Sequence, residues 1–324
     1  LLAYALGRRL FGRQAGLLAA ALLTFTVLHI QLAHFFAVDS LLAFFVTLTL
    51  YWLVRLVQGE GRKAAVWAGI AMALAIACKS SAAPLALPWA LAFVLRARKG
   101  SHQESGRLLV QSAIAGAVTF TLVSPYVLLD LKLYLDSIGF ESRMVRGTYD
   151  LPYTRQYRRT PAFIYPILQQ LRWGMGWLPG LLAFCGLGWG IWRTIRRTVG
   201  DGELLLLAWC LPYFLFTGGF MVKFMRYMAP LVPLLLVLGS GLVAHVAGRW
   251  PRWRPAMWGL AAATVLYAIL WSAAFTAIYR RTFSRQEASV WIYRNIAKGS
   301  VITKEEWDDL IPYPLVLDGK VYSP

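Results

Sequence analysis

Acidic side chains are scarce in this sequence, 15 against 33 lysines and arginines, so the position of each one carries information. Asp39, in HFFAVDSLLAFF, stands where one apolar run ends and the next begins. An ionisable group at the edge of a membrane-spanning segment is a functional candidate as a base, a metal ligand or an anchor. It also suits a helix N-cap, because a short acceptor there satisfies free amides at the positive end of the helix dipole. The two roles are compatible on one residue. His34 shares the same loop and reads as an interfacial or packing histidine, not a ligand. Lys79, in AIACKSSAAPLALP, sits in an apolar stretch among small residues and is followed by Pro84 and Pro88. A lysine at bilayer depth costs about 2.5–3.5 kcal/mol on insertion scales, so it needs an anionic partner, a watery cavity or a snorkelling route to the interface. The breakers and small residues favour an anion site.

The densest polar chemistry lies in residues 130–173. There Glu141, Arg143, Arg146, Tyr149, Asp150, Tyr153, Arg155, Gln156, Tyr157, Arg158 and Arg159 alternate cations with aromatic hydroxyls. Guanidinium groups grip phosphate with paired donors, and tyrosines offer stacking faces and hydroxyls suited to sugars. For Arg158 and Arg159, contact with lipid headgroups from an interfacial helix is the better reading. Lys223 and Arg226, in FMVKFMRYMAP, repeat the cationic theme beside another apolar run. Together Lys79, Arg143, Arg155, Lys223 and Arg226 describe a phosphate-binding rim. His34, Glu141, Tyr149, Asp150 and Tyr153 are candidates for the cavity beside it. No Walker A loop, no G-x-G-x-x-G after a strand, no H-E-x-x-H and no G-x-S-x-G occurs, so ATP hydrolysis, Rossmann-type nucleotide-sugar binding, zinc proteolysis and serine hydrolysis lack support.

The elements that must position these groups are transmembrane helices. Of 324 residues, 58% are hydrophobic and 15% charged, a balance suited to a lipid solvent. About nine segments approach spanning length: 15–31, 41–54, 64–77, 84–95, 108–129, 175–192, 204–220, 228–246 and 257–275. The third and fourth are short and read equally well as one broken hairpin around Lys79 to Pro84. The net charge of +18 comes from short clusters between apolar runs, not from a basic stripe, which argues for membrane topology and against nucleic acid. Clusters at Arg8, Arg62, Arg98, Arg196 and Arg252 all fall on one side of this alternation, which the positive-inside bias makes cytoplasmic. His34 to Ser40, Lys79, the 130–173 loop and the tail, with Tyr153 and Trp307, then face outward. Cys78, Cys185 and Cys210 lie in apolar runs without metal-site spacing and read as packing residues. The chain begins at Leu1 near the end of an apolar stretch and reads as part of a longer protein. Residues 1–275 read as a membrane core. Residues 276–324 change composition and predict a short helix, a Lys-Gly turn and a Val301–Ile302 strand, the start of a soluble outer domain.

Several stretches together resemble the polyprenyl-phosphate-sugar-dependent glycosyltransferases of the membrane-embedded GT-C class. The resemblance is to the family 39 group of protein O-mannosyltransferases and lipid A aminoarabinose transferases. It is carried by LGRRLFGRQAGLLAAALLTFTVLHIQLAHFFAVDSLLAFFVTLTLYWLVRL, by AIACKSSAAPLALP, by SPYVLLD and by VKFMRYMAPLVPLLLVLGSGLV. The resemblance implies an all-α polytopic core that transfers a hexosyl or pentosyl group from a polyprenyl-phosphate donor to a lipid, glycan or protein acceptor at the outer face of the plasma membrane. It implies that Asp39 occupies the family's second acidic position and Lys79 the lysine near the lipid phosphate. The family's lysine is usually followed by glycine, here by Ser80, and its first acidic pair would fall upstream of Leu1. The class admits a divalent metal ion, for which this sequence supplies no ligand set. A secondary transporter of anionic or sugar substrates should spread ionisable residues through several helix interiors and show internal repeats; neither is evident. A non-catalytic scaffold has no need of so cationic an outer loop.

Overall fold

The computed structural model describes residues 1–303, 311–317 and 319–323. Trp307 and the acidic run beside it lie outside the described residues. The chain divides into two units, Leu1–Trp271 and Ser272–Pro324.

The first unit is helical. It begins with α1 (Leu2–Phe11), α2 (Arg13–Thr24), α3 (Val27–His34), α4 (Val38–Val57) and α5 (Arg62–Cys78). It continues with α6 (Ala86–Lys99), α7 (His102–Val123), the single turn α8 (Tyr126–Leu129), α9 (Leu131–Arg146) and α10 (Ile164–Gln169). It ends with α11 (Trp177–Ile195), α12 (Asp201–Gly218), α13 (Val232–Arg249) and most of α14 (Arg254–Thr276). Five helical runs are long and apolar enough to cross a membrane: Val38–Val57, Ser80–Lys99, His102–Val123, Val232–Arg249 and Pro251–Asn295. The bent pair α2 and α3 makes a sixth if taken as one span. The other three expected spans are helices, but α5, α11 and α12 fall below that standard of length and hydropathy; α5 has 17 residues.

Two interruptions shape the pole that carries Asp39. Residues 15–31 read as one apolar run, yet α2 and α3 meet at 53° around Phe25 and Thr26. Thr24 and Thr26 turn their hydroxyls back onto the Ala20 and Leu22 carbonyls at 2.9 and 2.8 Å, the local competition for backbone acceptors that bends helices. The second break is at Lys79, which is extended (φ −162°, ψ 126°) between α5 and a 3-10 turn, Ser80–Leu85, containing Pro84. Small residues and proline weaken the helix there, as the sequence suggests.

Helices approach through glycine. A Cβ on Gly69 of α5 would lie 2.0 Å from the Ser112 carbonyl oxygen of α7, and one on Gly186 of α11 would lie 2.3 Å from the Gly239 nitrogen of α13. Only a bare backbone fits at either crossing, the membrane mode of tight helix packing. Burial grades outward from α13, 67% of whose spanning window is buried, to α7, with 17%. On α7, Val110, Ile114, Val118 and Leu122 form an exposed stripe at helical spacing, an apolar face that only lipid matches.

The basic loops gather at one end of this unit. Arg9 contacts Glu60 at 2.9 Å and Gln58 at 2.9 Å, Arg96 contacts Glu104 at 3.2 Å, and Arg193 contacts Glu203 at 2.5 Å. Lys99 pairs with Asp201. A cleft of about 410 Å³ opens among Arg9, Gln58, Arg96, Lys99, Asp201 and Glu203. Helix α4 links this basic pole, at Arg55, to Asp39, about 24 Å away at a rise of roughly 1.5 Å per residue.

In the second unit, α15 (Ser284–Asn295) is followed by a turn at Gly299 (φ +85°) and an antiparallel hairpin of β1 (Leu315–Leu317) and β2 (Lys320–Tyr322). Ser289 accepts from the Tyr313 amide at 3.2 Å, and Tyr293 packs on Tyr322 with ring centroids 5.1 Å apart. The strand expected at Val301–Ile302 is not formed; both residues are exposed, and β1 takes β2 as its partner.

Candidate active site

Asp39 is in the first turn of α4, where the N-cap is Ala37 and no side-chain cap bond is made. The carboxylate is therefore not spent on capping. It accepts instead from Lys79, Nζ to Oδ1 3.0 Å, with side chains 3% and 29% exposed respectively. The lysine thus has an anionic partner, the arrangement a cation among apolar helices needs. Its ammonium also lies 5.1 Å from the centroid of the Tyr227 ring, within cation–π range.

Tyr227 comes from the short link between α12 and α13, folded as a 3-10 turn, Met225–Met228. This link is held from three directions. Gln170, fully buried in a π-helical turn (Gln170–Gly174), donates from Nε2 to the Met225 carbonyl at 3.1 Å. The Val222 amide donates to the Val145 carbonyl at the end of α9 at 3.1 Å. Lys223, 5% exposed, donates to the Thr160 hydroxyl at 3.1 Å and to the Met221 carbonyl at 2.9 Å. Burial pushes the Lys223 ammonium below the ordinary lysine range.

Phe224 anchors the aromatic lining, stacking with Tyr153 at 6.4 Å and meeting Tyr157 edge-on at 5.3 Å and Tyr227 at 5.6 Å. Burial pushes the Tyr157 and Tyr227 phenols up to about 12, opposed by the charge of Arg226. At Tyr227 the charges of Glu141 and Asp39 also act upward.

The structure thus brings Asp39 and Lys79 together beside Tyr227, with Tyr153 against Phe224, Arg226 exposed on the same link and Lys223 bracing it. Glu141 lies on α9, whose end meets that link through Val145 and Val222. Arg143 and Arg226 are exposed and make no ion pair among the described residues. Other candidates are engaged elsewhere. Asp150 holds Arg155 at 2.9 Å and Arg158 at 2.9 Å on an exposed stretch, and the hydrogen bond from Arg155 keeps its carboxyl below the usual carboxylate range. Tyr149 packs edge-on against Phe140 at 5.1 Å, and exposed His34 meets Phe35 edge-on at 5.2 Å. Sequence reasoning missed Tyr227, and it named Tyr157 in the outer loop without selecting it for the cavity. The signal for Tyr227 was its place directly after Arg226, in a stretch read only for its cations.

The family model described as dolichyl-phosphate-mannose-protein mannosyltransferase matches residues 1–128, which include Asp39 and Lys79. No curated protein gives a significant match. Among solved structures, the archaeal oligosaccharyltransferase AglB from Archaeoglobus fulgidus, in complex with an inhibitory peptide and a dolichol-phosphate, matches with a TM-score of 0.51 at 15% identity. The match covers 92% of this chain and 46% of that one, so this chain spans about half the length of that enzyme. At that identity the likeness speaks to fold. The chain is an all-α polytopic membrane protein with a GT-C-like fold, and its half-buried Asp39–Lys79 pair lies within the segment that matches the mannosyltransferase family model.

Proposed function

We propose that this chain forms the membrane core of a glycosyltransferase that moves a hexosyl or pentosyl group from a polyprenyl-phosphate carrier to a lipid, glycan or protein acceptor. The observation that carries this reading is the Asp39–Lys79 pair, with Tyr227 against the ammonium, at the pole opposite the basic loops. It places one acid and one base type side by side where a lipid-anchored phosphate and a water-borne hydroxyl can meet. The match of the mannosyltransferase family model over this pair supports the same chemistry.

In this mechanism the acceptor oxygen attacks the anomeric carbon, the bond from that carbon to the phosphate oxygen breaks, and its electron pair stays on the phosphate. Asp39 takes the acceptor proton, and Lys79, assisted by Arg226 and Arg143, offsets the charge gathering on the leaving phosphate. Glu141, Tyr153 and Tyr227 line the space for sugar and acceptor. Among the described residues no group of three or more histidine, cysteine or acidic side chains is disposed to hold a metal, so no step here runs through one. Arg155 and Asp150, paired with each other, contribute to loop shape rather than to the phosphate. In this reading the basic pole is cytoplasmic and the site extracytoplasmic, which the positive-inside bias supports, and the membrane is the plasma membrane, as the family resemblance implies.

The test is transfer by the full-length protein in proteoliposomes, supplied with polyprenyl-phosphate hexoses and pentoses and with lipid, glycan and peptide acceptors. Sugar leaving the carrier for an acceptor hydroxyl is the expected result. Carrier flipping or solute uptake without transfer would overturn it in favour of a transporter.

A further inference from the structure

The mechanism above gives Asp39 and Lys79 separate tasks, yet in the structure each occupies the other at 3.0 Å. A carboxylate that is already accepting from an ammonium is poorly placed to receive an acceptor's proton, and an ammonium held by a carboxylate is not fully available to a phosphate. The two side chains differ in freedom. Asp39 is short, 3% exposed and fixed in the first turn of a 20-residue helix. Lys79 has a four-carbon stem, is 29% exposed and springs from the extended residue between α5 and a 3-10 turn. If one of them moves, it is the lysine.

We propose that Lys79 is a shared cation that couples donor binding to release of the base. The lipid-linked phosphate draws the ammonium away from Asp39, and the freed carboxylate then receives the acceptor proton. The Tyr227 ring, 5.1 Å from Nζ, offers a neutral face that the ammonium keeps while it changes anion, so the path between the two is short and lined. The charge balance favours the exchange as reaction proceeds. A sugar phosphodiester carries one negative charge, and the lipid monophosphate left behind carries nearly two, so the hold on Lys79 strengthens as the bond breaks. Donor first, acceptor second is the order this imposes. The proposal rests on the glycosyltransferase reading above.

The experiment measures binding of polyprenyl monophosphate, without sugar, to the full-length protein in nanodiscs. It compares wild type, Asp39→Asn, Lys79→Met and the double variant. Asp39→Asn is expected to tighten binding about tenfold, because the phosphate no longer competes with a carboxylate for the ammonium. Lys79→Met is expected to weaken it at least tenfold, and the double variant to bind no more tightly than Lys79→Met. Unchanged or weaker binding by Asp39→Asn overturns the coupling, and it does so even where Lys79→Met fails to insert. Tightening of equal size in the Lys79→Met background also overturns it, since the effect would then be direct repulsion between carboxylate and phosphate. Wild-type affinity in Lys79→Met would instead remove Lys79 from the donor site, a failure of the underlying reading.

Discussion

Asp39 makes no capping bond, so its carboxylate is expected to matter as a charge. Asp39→Asn keeps the shape and loses the proton acceptor. In the full-length protein it should insert normally and lose transfer by a factor on the order of a hundred. Rate per correctly inserted molecule is the measurement, and near-native turnover would leave the residue a structural role only. Lys79→Ala has a second consequence, because it strands a buried carboxylate. Removing one partner of such a pair costs on the order of 3 kcal/mol, so detergent stability should fall in Lys79→Ala and largely recover in Lys79→Ala with Asp39→Asn. Equal stability of all three proteins would contradict the pairing. Each of these two residues was legible in the sequence as a charge out of place. Their partnership was not, since they lie 40 positions apart, one in α4 and one in the break after α5, and a single sequence does not record which element faces which. Tyr227 was hidden for a different reason: its contribution is a ring face beside a cation, and an aromatic residue at a membrane boundary is ordinary.

At the scale of elements, apolar runs and breakers announced most helices, and the failures have local causes. The α2–α3 bend has no proline or glycine at Phe25 or Thr26 to mark it. Its agents are threonine hydroxyls competing for carbonyls, which composition does not reveal. The glycine crossings were equally silent, because closeness belongs to the pair of helices and not to either sequence. Gly69→Leu should test the α5–α7 crossing. With the Ser112 carbonyl oxygen 2.0 Å from where a Cβ would sit, the helices must separate, and a loss of about 1–3 kcal/mol is expected. A thermal midpoint equal to wild type would show that the crossing has slack. The loop joining α4 to α5 offers a pH test. Glu60 accepts from Arg55 at 2.7 Å, and that hydrogen bond holds its carboxyl below the ordinary 4.5. A depressed folded value means the contribution is complete above about pH 4.5 and disappears as pH falls through the lowered value. The pair is partly exposed, so the effect should stay under about 1 kcal/mol. Midpoints should drop more steeply below pH 4.5 in wild type than in Glu60→Gln, and parallel profiles would remove Glu60 from the account.

For the whole molecule, the proposed orientation sets the basic pole against the cytoplasm. In a cysteine-free background, Tyr153→Cys should react with an impermeant maleimide on intact cells, and Arg196→Cys only after permeabilisation. The reverse pattern would invert the map and put the Asp39–Lys79 site on the wrong side for the proposed reaction. The same pole has a consequence for how the protein is made. Its cations are matched by acids from other elements, Arg9 by Glu60 of the α4–α5 loop, and Lys99 and Arg193 by Asp201 and Glu203 of α12. Lys99 and Asp201 are separated by the whole stretch that contains α7 to α11. While that stretch is still emerging from the ribosome, Lys99 has no partner and bears its full charge, the state in which a lysine resists crossing the bilayer. Once α12 arrives, the same charge becomes a fastening between early and late helices. In the proposed orientation one set of residues therefore serves first as a topological signal and then as a latch that closes only when α12 has joined α6.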